Sequence, residues 1–147
     1  MSLTRGGLPM RLMDTRLALL HLTTRGIPSR YPRMKILNSH LGGALPVLLQ
    51  RMDNQLPWEA PETPEKASVA ARRMWYDTVG HGHPPALRCA ADSFGADRLV
   101  LGTDFPYETG AVFERAVSYI TTSGLAPRDA DRVLSVNAEA LFGRRDP

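Results

Sequence analysis

Leucine and isoleucine recur at the spacing of a helix face near the start of the chain. The pattern extends from Asp14 to Arg30, and Asp14 or Thr15 is a candidate cap at its beginning. Gly26 and Pro28 mark its end, because neither residue favours continuation of a helix. The pattern predicts an amphipathic helix.

Three short apolar runs predict strands, near residues 35–39, 75–79 and 98–102. The last run has Leu99, Val100 and Leu101 in a row, which is typical of a strand buried on both faces. Helical patterns follow the three runs, at residues 44–52, 84–94 and 109–123. Strands separated by crossover helices predict a parallel α/β sheet.

The other segments add helices and one loop. Further helices are predicted at residues 68–74, 127–135 and 137–142. Prolines and glutamates between Asn54 and Lys66 predict an exposed loop and no boundary between domains. We therefore expect residues 1–147 to form a single domain.

Composition narrows the class of protein. The chain has 147 residues, of which 43% are hydrophobic and 22% charged, as in an ordinary globular domain. Its 18 basic and 15 acidic residues give a net charge of +3. The arginines are scattered, so we expect no nucleic-acid partner. No apolar run is long enough for a membrane span, and the lone Cys89 fits a reducing compartment, so we expect a cytoplasmic protein.

Polar residues stand at the carboxyl ends of the predicted strands, where parallel α/β folds hold their reactive groups. His40 follows the first strand, Asp77 lies in the second and Asp104 follows the third. An imidazole and a carboxylate there serve as proton donor, base or metal ligand. Alternatively, the histidine bonds to backbone and the aspartate caps the next helix. The residue types alone leave both interpretations open.

The other histidines and the cysteine give weaker signals. His81 and His83 have the spacing of two metal ligands, but Gly82 and the following prolines place them in a loop, where histidines more often face solvent or substrate. His21 is interpreted as a packed or half-exposed helix residue. Cys89 has no neighbour that would activate its thiol and is interpreted as a small buried side chain.

Four motifs then occur in order along the chain: Y-P-R-M-K-I-L-N-S-H-L-G-G-A-L-P from Tyr31, W-Y-D-T from Trp75, G-A-D-R-L-V-L-G-T-D-F-P from Gly95, and N-A with L-F-G from Asn137. Together they resemble the carboxyl-terminal half of the amidohydrolase-related family typified by aminocarboxymuconate-semialdehyde decarboxylase. The resemblance extends over nearly the whole chain from Asp14 onward.

The resemblance implies a metal-dependent (β/α)₈ barrel that acts on a small carboxylic acid, aromatic or muconate-type, by hydrolysis or decarboxylation. It implies that His40 and Asp104 are catalytic, with His40 in proton transfer or substrate polarisation. Asp104 would also bind the metal, zinc or alternatively manganese. Candidate residues of the substrate pocket are Gly42, Gly43, Phe105 and His81, and an unidentified arginine is expected to pair with the substrate carboxylate.

A complete barrel of this kind takes roughly 250 residues. The family's H-x-H metal ligands belong to the first barrel strand, upstream of Asp14, where this sequence has no histidine. His81 and His83 follow a later strand and do not correspond to that pair. We therefore expect a truncated barrel whose open edges are covered by a second copy or by a complementing chain. Two hypotheses follow: a hydrolase or decarboxylase, or a catalytically silent half-barrel acting as an association subunit or gene remnant. A third hypothesis is that His40, His81, His83 and Asp104 converge and bind a metal by themselves.

Overall fold

A computed structural model of the protein describes residues 17–143, and its first two helices lie within the predicted amphipathic segment. Helix α1 includes residues 17–24 and α2 is Ile27–Arg30. Gly26 lies between them in the left-handed conformation with φ 62° and makes the break, while Pro28 occupies the first turn of α2. The single predicted helix is therefore two helices, and the caps predicted for its start lie outside the described residues.

The remaining elements alternate between strands and helices, as predicted. In chain order they are β1 (Leu37–Asn38), α3 (Leu45–Glu59), α4 (Ala67–Ala71), β2 (Trp75–Asp77), α5 (Pro84–Phe94), β3 (Leu99–Val100), α6 (Gly110–Thr121), α7 (Pro127–Asp131) and α8 (Asn137–Phe142). Short 3₁₀ turns occupy His40–Gly42 and Ala96–Arg98, and a π-helical turn over Arg132–Val136 joins α7 to α8. No helix within residues 17–143 is both long and apolar enough to cross a membrane.

The three strands form one parallel sheet in the order β1, β2, β3. Leu37 of β1 is opposite Trp75 of β2, and Tyr76 is opposite Leu99 of β3. Each strand is shorter than its predicted run. At the carboxyl end of β3, for example, the Gly102 N–H donates to a side chain, the Thr78 hydroxyl at 3.1 Å, in place of a strand backbone.

The two faces of the sheet pack against different elements, because successive side chains point to opposite sides. Tyr76 and Leu99 lie in the main core, with side chains from α3, α5 and α6. Trp75 and Val100 form a smaller cluster with Leu141 of α8. Both faces of the sheet are thus covered, as is usual for parallel strands.

Helix α3 differs most from its prediction, because it continues to Glu59 through residues that were predicted to be a loop. Pro57 lies in its last turn, where it removes the N–H that would bond to the carbonyl of Asp53. Leu56 packs against the main core, and the Trp58 indole donates to the carbonyl of Asn54 at 3.1 Å. Packing of the partly buried Leu56 against the core offsets that loss and explains why the segment is helical despite its proline.

Helix α8 is fastened to the sheet by hydrogen bonds. The buried side chain of Asn137 donates to the carbonyls of Ala96 and Leu99 at 2.8 and 2.7 Å. The Lys35 ammonium, just before β1, donates to the carbonyl of Leu141 at 2.5 Å. Residues from the last motif of the sequence therefore tie α8 to both edge strands.

Gly42 is required by packing in the core. Its φ is 73°, and a Cβ there would lie 3.0 Å from the Tyr76 ring and 3.1 Å from the Phe94 ring. Those two rings are stacked with centroids 3.7 Å apart. A side chain at position 42 would therefore separate the rings as well as strain the backbone.

We expect Gly42→Ala to lower the free energy of unfolding by about 1–3 kcal/mol more than Gly110→Ala does, because only the first overpacks the core. Gly110 is the matched control, since its φ is also positive, at 57°, but no atom lies within 4 Å of the position of its Cβ. Urea unfolding of both variants measures the difference. Equal losses would show that the strained φ alone accounts for the glycine.

Candidate functional site

The carboxyl edge of the sheet concentrates unusual backbone conformations. In the described part of the chain, the non-glycine residues with positive φ are His40, Leu41, His81 and Asp104, at 57°, 55°, 49° and 62°. Each lies in a segment that follows β1, β2 or β3. Such conformations are rare outside glycine and gather at functional sites, so this edge is the candidate active site.

The carboxylate of Asp77, at the end of β2, joins the strand-end loops. Its Oδ1 accepts the main-chain N–H of His40 at 2.7 Å and that of Val79 at 3.0 Å. On the side of β3, Gly102 lies so close that a Cβ there would be 2.9 Å from the Asp77 Cβ. Burial raises the pKa of Asp77, and the two N–H donors partly oppose that rise.

A cavity of about 200 Å³ opens beside His40. It is lined by His40, Leu41, Gly43, Pro46, Val47, Val79, Gly80, Ala86 and Cys89. Of the two predicted pocket glycines, Gly43 is in this lining, whereas Gly42 packs under the core rings. None of the lining residues is an arginine, so the predicted partner of a substrate carboxylate is not found there.

Cys89 is half-buried, so the expectation of a buried thiol was wrong. It lines the cavity beside Ala86 because residues three apart on α5 share a face. His21 is exposed, beyond the packed or half-exposed position expected for it. Its side chain lies on the outer face of α1, opposite the buried Leu19.

A second group of polar side chains lies after β2 and β3. His81, Asp104 and Glu108 each offer one ligand atom, and these three atoms lie within 4.8 Å of one another. The His81 Nδ1 is 3.2 Å from a carboxylate oxygen of Glu108. The N–H groups of Tyr107 and Glu108 donate to the Asp104 carbonyl at 2.8 and 3.1 Å. This turn folds Glu108 back toward Asp104.

The hypothesis that His40, His81, His83 and Asp104 converge on one metal ion was wrong. The group of ligand atoms found in residues 17–143 includes His81 and Asp104 but neither His40 nor His83. Gly82, with φ 75°, turns the chain between the two loop histidines, and His83 directly precedes α5. Glu108 was not predicted as a site residue. Its position four residues after Asp104 could have indicated that one turn brings the two carboxylates together.

Two aromatic side chains at the strands take different positions. Phe105, predicted to line the pocket, is 68% exposed and contacts the Phe113 ring edge to face at 6.0 Å. Trp75 is buried in the smaller cluster, beneath the Arg98 guanidinium. No role was predicted for Tyr119 of α6. Its hydroxyl donates to the Thr78 carbonyl, and burial raises its pKa to about 12, so it is a neutral donor that holds the end of β2.

Comparisons with known proteins relate this chain to amidohydrolases and decarboxylases. A family model described as amidohydrolase matches residues 4–144. The 6-methylsalicylic acid decarboxylase of Penicillium expansum is 31% identical over 135 residues, which are 89% of this chain and 41% of that protein. The 2-amino-3-carboxymuconate-6-semialdehyde decarboxylase of Caenorhabditis elegans is 27% identical over 125 residues, 78% of this chain and 31% of that protein.

A crystal structure of a dihydroxybenzoic acid decarboxylase from Polaromonas sp. JS666, with bound manganese and the inhibitor 2-nitroresorcinol, superimposes with a TM-score of 0.77 at 26% identity. The match covers 89% of this chain and 40% of that one. The chain spans about 40% of the length of the curated relatives it matches. The prediction of a partial barrel with parallel strands alternating with helices is confirmed.

We expect Asp77→Ala to lower the free energy of unfolding by about 1–3 kcal/mol, because the N–H groups of His40 and Val79 lose their acceptor. Asp77→Asn retains the Oδ1 acceptor and is the matched control, with a much smaller loss. Urea unfolding at neutral pH measures both variants. Equal losses in the two variants would show that the carboxylate charge matters more than the acceptor.

Proposed function

The chain belongs to the amidohydrolase family, and we propose that the carboxyl edge of its sheet forms part of the active site of a metal-dependent decarboxylase. The observation that carries this proposal is the placement of His40. Its main-chain N–H is bonded to Asp77, and the residue lines a cavity at the strand ends, where barrel enzymes hold their reactive groups.

The proposed substrate is a hydroxybenzoic acid. The names of two relatives, a 6-methylsalicylic acid decarboxylase and a dihydroxybenzoic acid decarboxylase, describe benzoic acids and favour decarboxylation over hydrolysis. The cavity beside His40 has about 200 Å³, below the roughly 300–1,000 Å³ of pockets for drug-sized ligands. That volume fits a single-ring acid better than a larger molecule.

His40 is proposed as the proton donor. Decarboxylation breaks the bond between the ring carbon and the carboxylate, releases CO₂ and leaves the electron pair on the ring carbon. A proton must then reach that carbon, and an imidazole at the edge of the cavity is suited to deliver it. The main-chain bond to Asp77 keeps the loop that carries the imidazole in place.

Asp104 is proposed as a metal ligand. Its neighbours, a second carboxylate and an imidazole, are donors that zinc and manganese both accept, so the residues present fit a divalent ion. When bound, such an ion supplies positive charge that polarises the oxygens of a substrate acid. Zinc is our proposed metal, and manganese, present in the Polaromonas structure, is the alternative.

An association role is the second candidate function. In the described residues, β1 and β3 each pair with β2 alone. Leu37 of β1 is 43% exposed. Open strand edges with apolar side chains favour pairing with another chain. We propose a second copy of this chain as that partner, and we retain a single domain over residues 1–147 and a cytoplasmic location as predictions.

Purified chain with Zn²⁺ or Mn²⁺ is expected to release CO₂ from 6-methylsalicylate or 2,6-dihydroxybenzoate. His40→Asn is expected to lower kcat at least about 100-fold because the proton donor is lost. KM is expected to stay close to the wild-type value, since binding does not need that proton. A CO₂-release assay at several substrate concentrations separates the two constants.

His83→Asn is the matched control, because His83 is an exposed histidine outside the cavity lining. It is expected to keep the wild-type kcat. Absence of CO₂ release with both metals and both acids would exclude the proposed activity for this chain. A rise in KM with unchanged kcat in the His40 variant would assign that residue to substrate binding.

For the second candidate, Leu37→Lys is expected to weaken self-association, because a charge on an edge strand opposes strand pairing. Val69→Lys on α4 is the matched control, since Val69 is also 43% exposed but lies on a helix. Sedimentation equilibrium over a range of concentrations gives the dissociation constant of each variant. A monomeric wild-type chain would contradict this candidate.

A further inference from the structure

We propose that the cavity beside His40 contains a subsite that accepts an apolar edge of the substrate ring and rejects a hydroxyl group on that edge. The subsite is a surface, here called the apolar wall, formed by Pro46 and Val47 of α3 and by Ala86 and Cys89 of α5. The inference rests on the proposed function, because that function places a hydroxybenzoic acid in this cavity. It adds the residues that select the substituents of the ring.

The side chains of the apolar wall offer a hydroxyl group no strong hydrogen-bond partner. Those of Pro46, Val47 and Ala86 contain no polar atom, and a cysteine thiol is only a weak donor. Cys89 is half-buried, and a free cysteine in such a position behaves as a small apolar side chain. The strong polar group among the lining side chains is the imidazole of His40, which follows β1 and belongs to neither helix.

Main-chain groups in the wall are already bonded within the protein. The N–H of Ala86 donates to the His83 carbonyl at 3.2 Å. The carbonyl of Pro46 accepts the hydroxyl of Ser93 at 3.3 Å, and a proline has no N–H to offer. A ring hydroxyl in this part of the cavity would therefore compete with hydrogen bonds that the protein already makes.

The wall is held in position by contacts that need no ligand. The bond between Ser93 of α5 and Pro46 of α3 joins the two helices that carry it. Leu41, which also lines the cavity, is 5% exposed and lies so close to Gly80 that a Cβ there would be 2.8 Å from its Cδ1. A cavity with fixed walls cannot rearrange to supply a partner for a buried hydroxyl.

The proton donor sets the orientation of the ring. His40 is proposed to deliver its proton to the ring carbon that carries the carboxylate, so this carbon lies nearest to His40. The opposite edge of the ring then lies away from His40 and against the apolar wall. A substituent para to the carboxylate reports on this contact, because it is too far from the carboxylate to form an internal hydrogen bond.

Two acids isolate the polarity of that substituent. 4-Methylsalicylate and 2,4-dihydroxybenzoate differ only in a methyl or a hydroxyl group para to the carboxylate, and the two groups are similar in size. Burial of the methyl group is favourable, whereas a buried hydroxyl loses its hydrogen bonds to water. Apolar pockets discriminate against a hydroxyl isostere by up to about 100-fold. We expect 4-methylsalicylate to bind at least about 10-fold more tightly.

The test compares dissociation constants, because the para substituent also changes the electron density of the ring and hence the rate. ¹⁵N-labelled chain freed of metal by a chelator is titrated with each acid and followed by ¹H–¹⁵N spectra, and the titration is repeated with ZnCl₂. The spectra give the dissociation constant and the location of binding together. We expect the amide signals of Ala86 and Cys89 to shift.

Ala86→Ser and Cys89→Ser each place a hydroxyl in the apolar wall. Each is expected to lower the preference to less than about 3-fold, because a serine oxygen accepts a hydrogen bond from the para hydroxyl. Ala111→Ser is the matched control, since Ala111 is exposed on α6 and lies outside the cavity lining. It is expected to keep the wild-type preference. A urea midpoint for each variant checks that it is folded.

The outcomes separate the subsite from the decarboxylase activity. Equal affinity for the two acids with and without zinc, or shifts that leave Ala86 and Cys89 unchanged, would overturn the subsite and leave the activity intact. An unchanged preference in both serine variants would also overturn it. The predicted preference without CO₂ release from any of the acids would support the subsite and contradict the activity.

Discussion

The carboxylate of Asp77 is the acceptor on which the geometry of the candidate site depends. One oxygen receives the N–H groups of His40 and Val79, so the loops after β1 and β2 share a single anchor. The anchor must be partly buried to reach both donors, and burial raises its pKa. The two hydrogen bonds offset the cost of burying the carboxylate. They also stabilise the positive φ of His40, which would be unfavourable in an isolated loop.

Much of the fold could be predicted from local pattern, because strands buried on both faces and proline-initiated helices have strong signals. Leu99 and Val100 are buried on opposite faces of the sheet, as their apolar run predicted. The end of α3 could not be predicted, since Pro57 and its neighbours read locally as a loop. Packing of Leu56 against distant elements determines that this segment is helical. Such contacts cannot be inferred from a short stretch of sequence.

The site was predictable in part, for a related reason. A resemblance selects residues such as His40 and Asp104 because they stand in motifs. It does not say which motif residues serve packing. Gly42 and Gly43 are adjacent in one motif, yet the first is fixed by the rings of Tyr76 and Phe94 and only the second borders the cavity. The two roles could be distinguished only in the three-dimensional structure.

The same edge of the sheet carries two environments with different chemistry. The cavity beside His40 is lined mainly by apolar side chains and has a volume of about 200 Å³, whereas a neighbouring cavity lined by His81 and Glu108 has a volume of about 10 Å³. Val79 and Gly80 line both spaces, so one short segment of backbone separates them. The shapes of both cavities therefore depend on the position of that segment. The Asp77 bond to the Val79 N–H fixes one end of it, and the approach of Leu41 and Tyr119 to Gly80 leaves no room for a larger residue at the other.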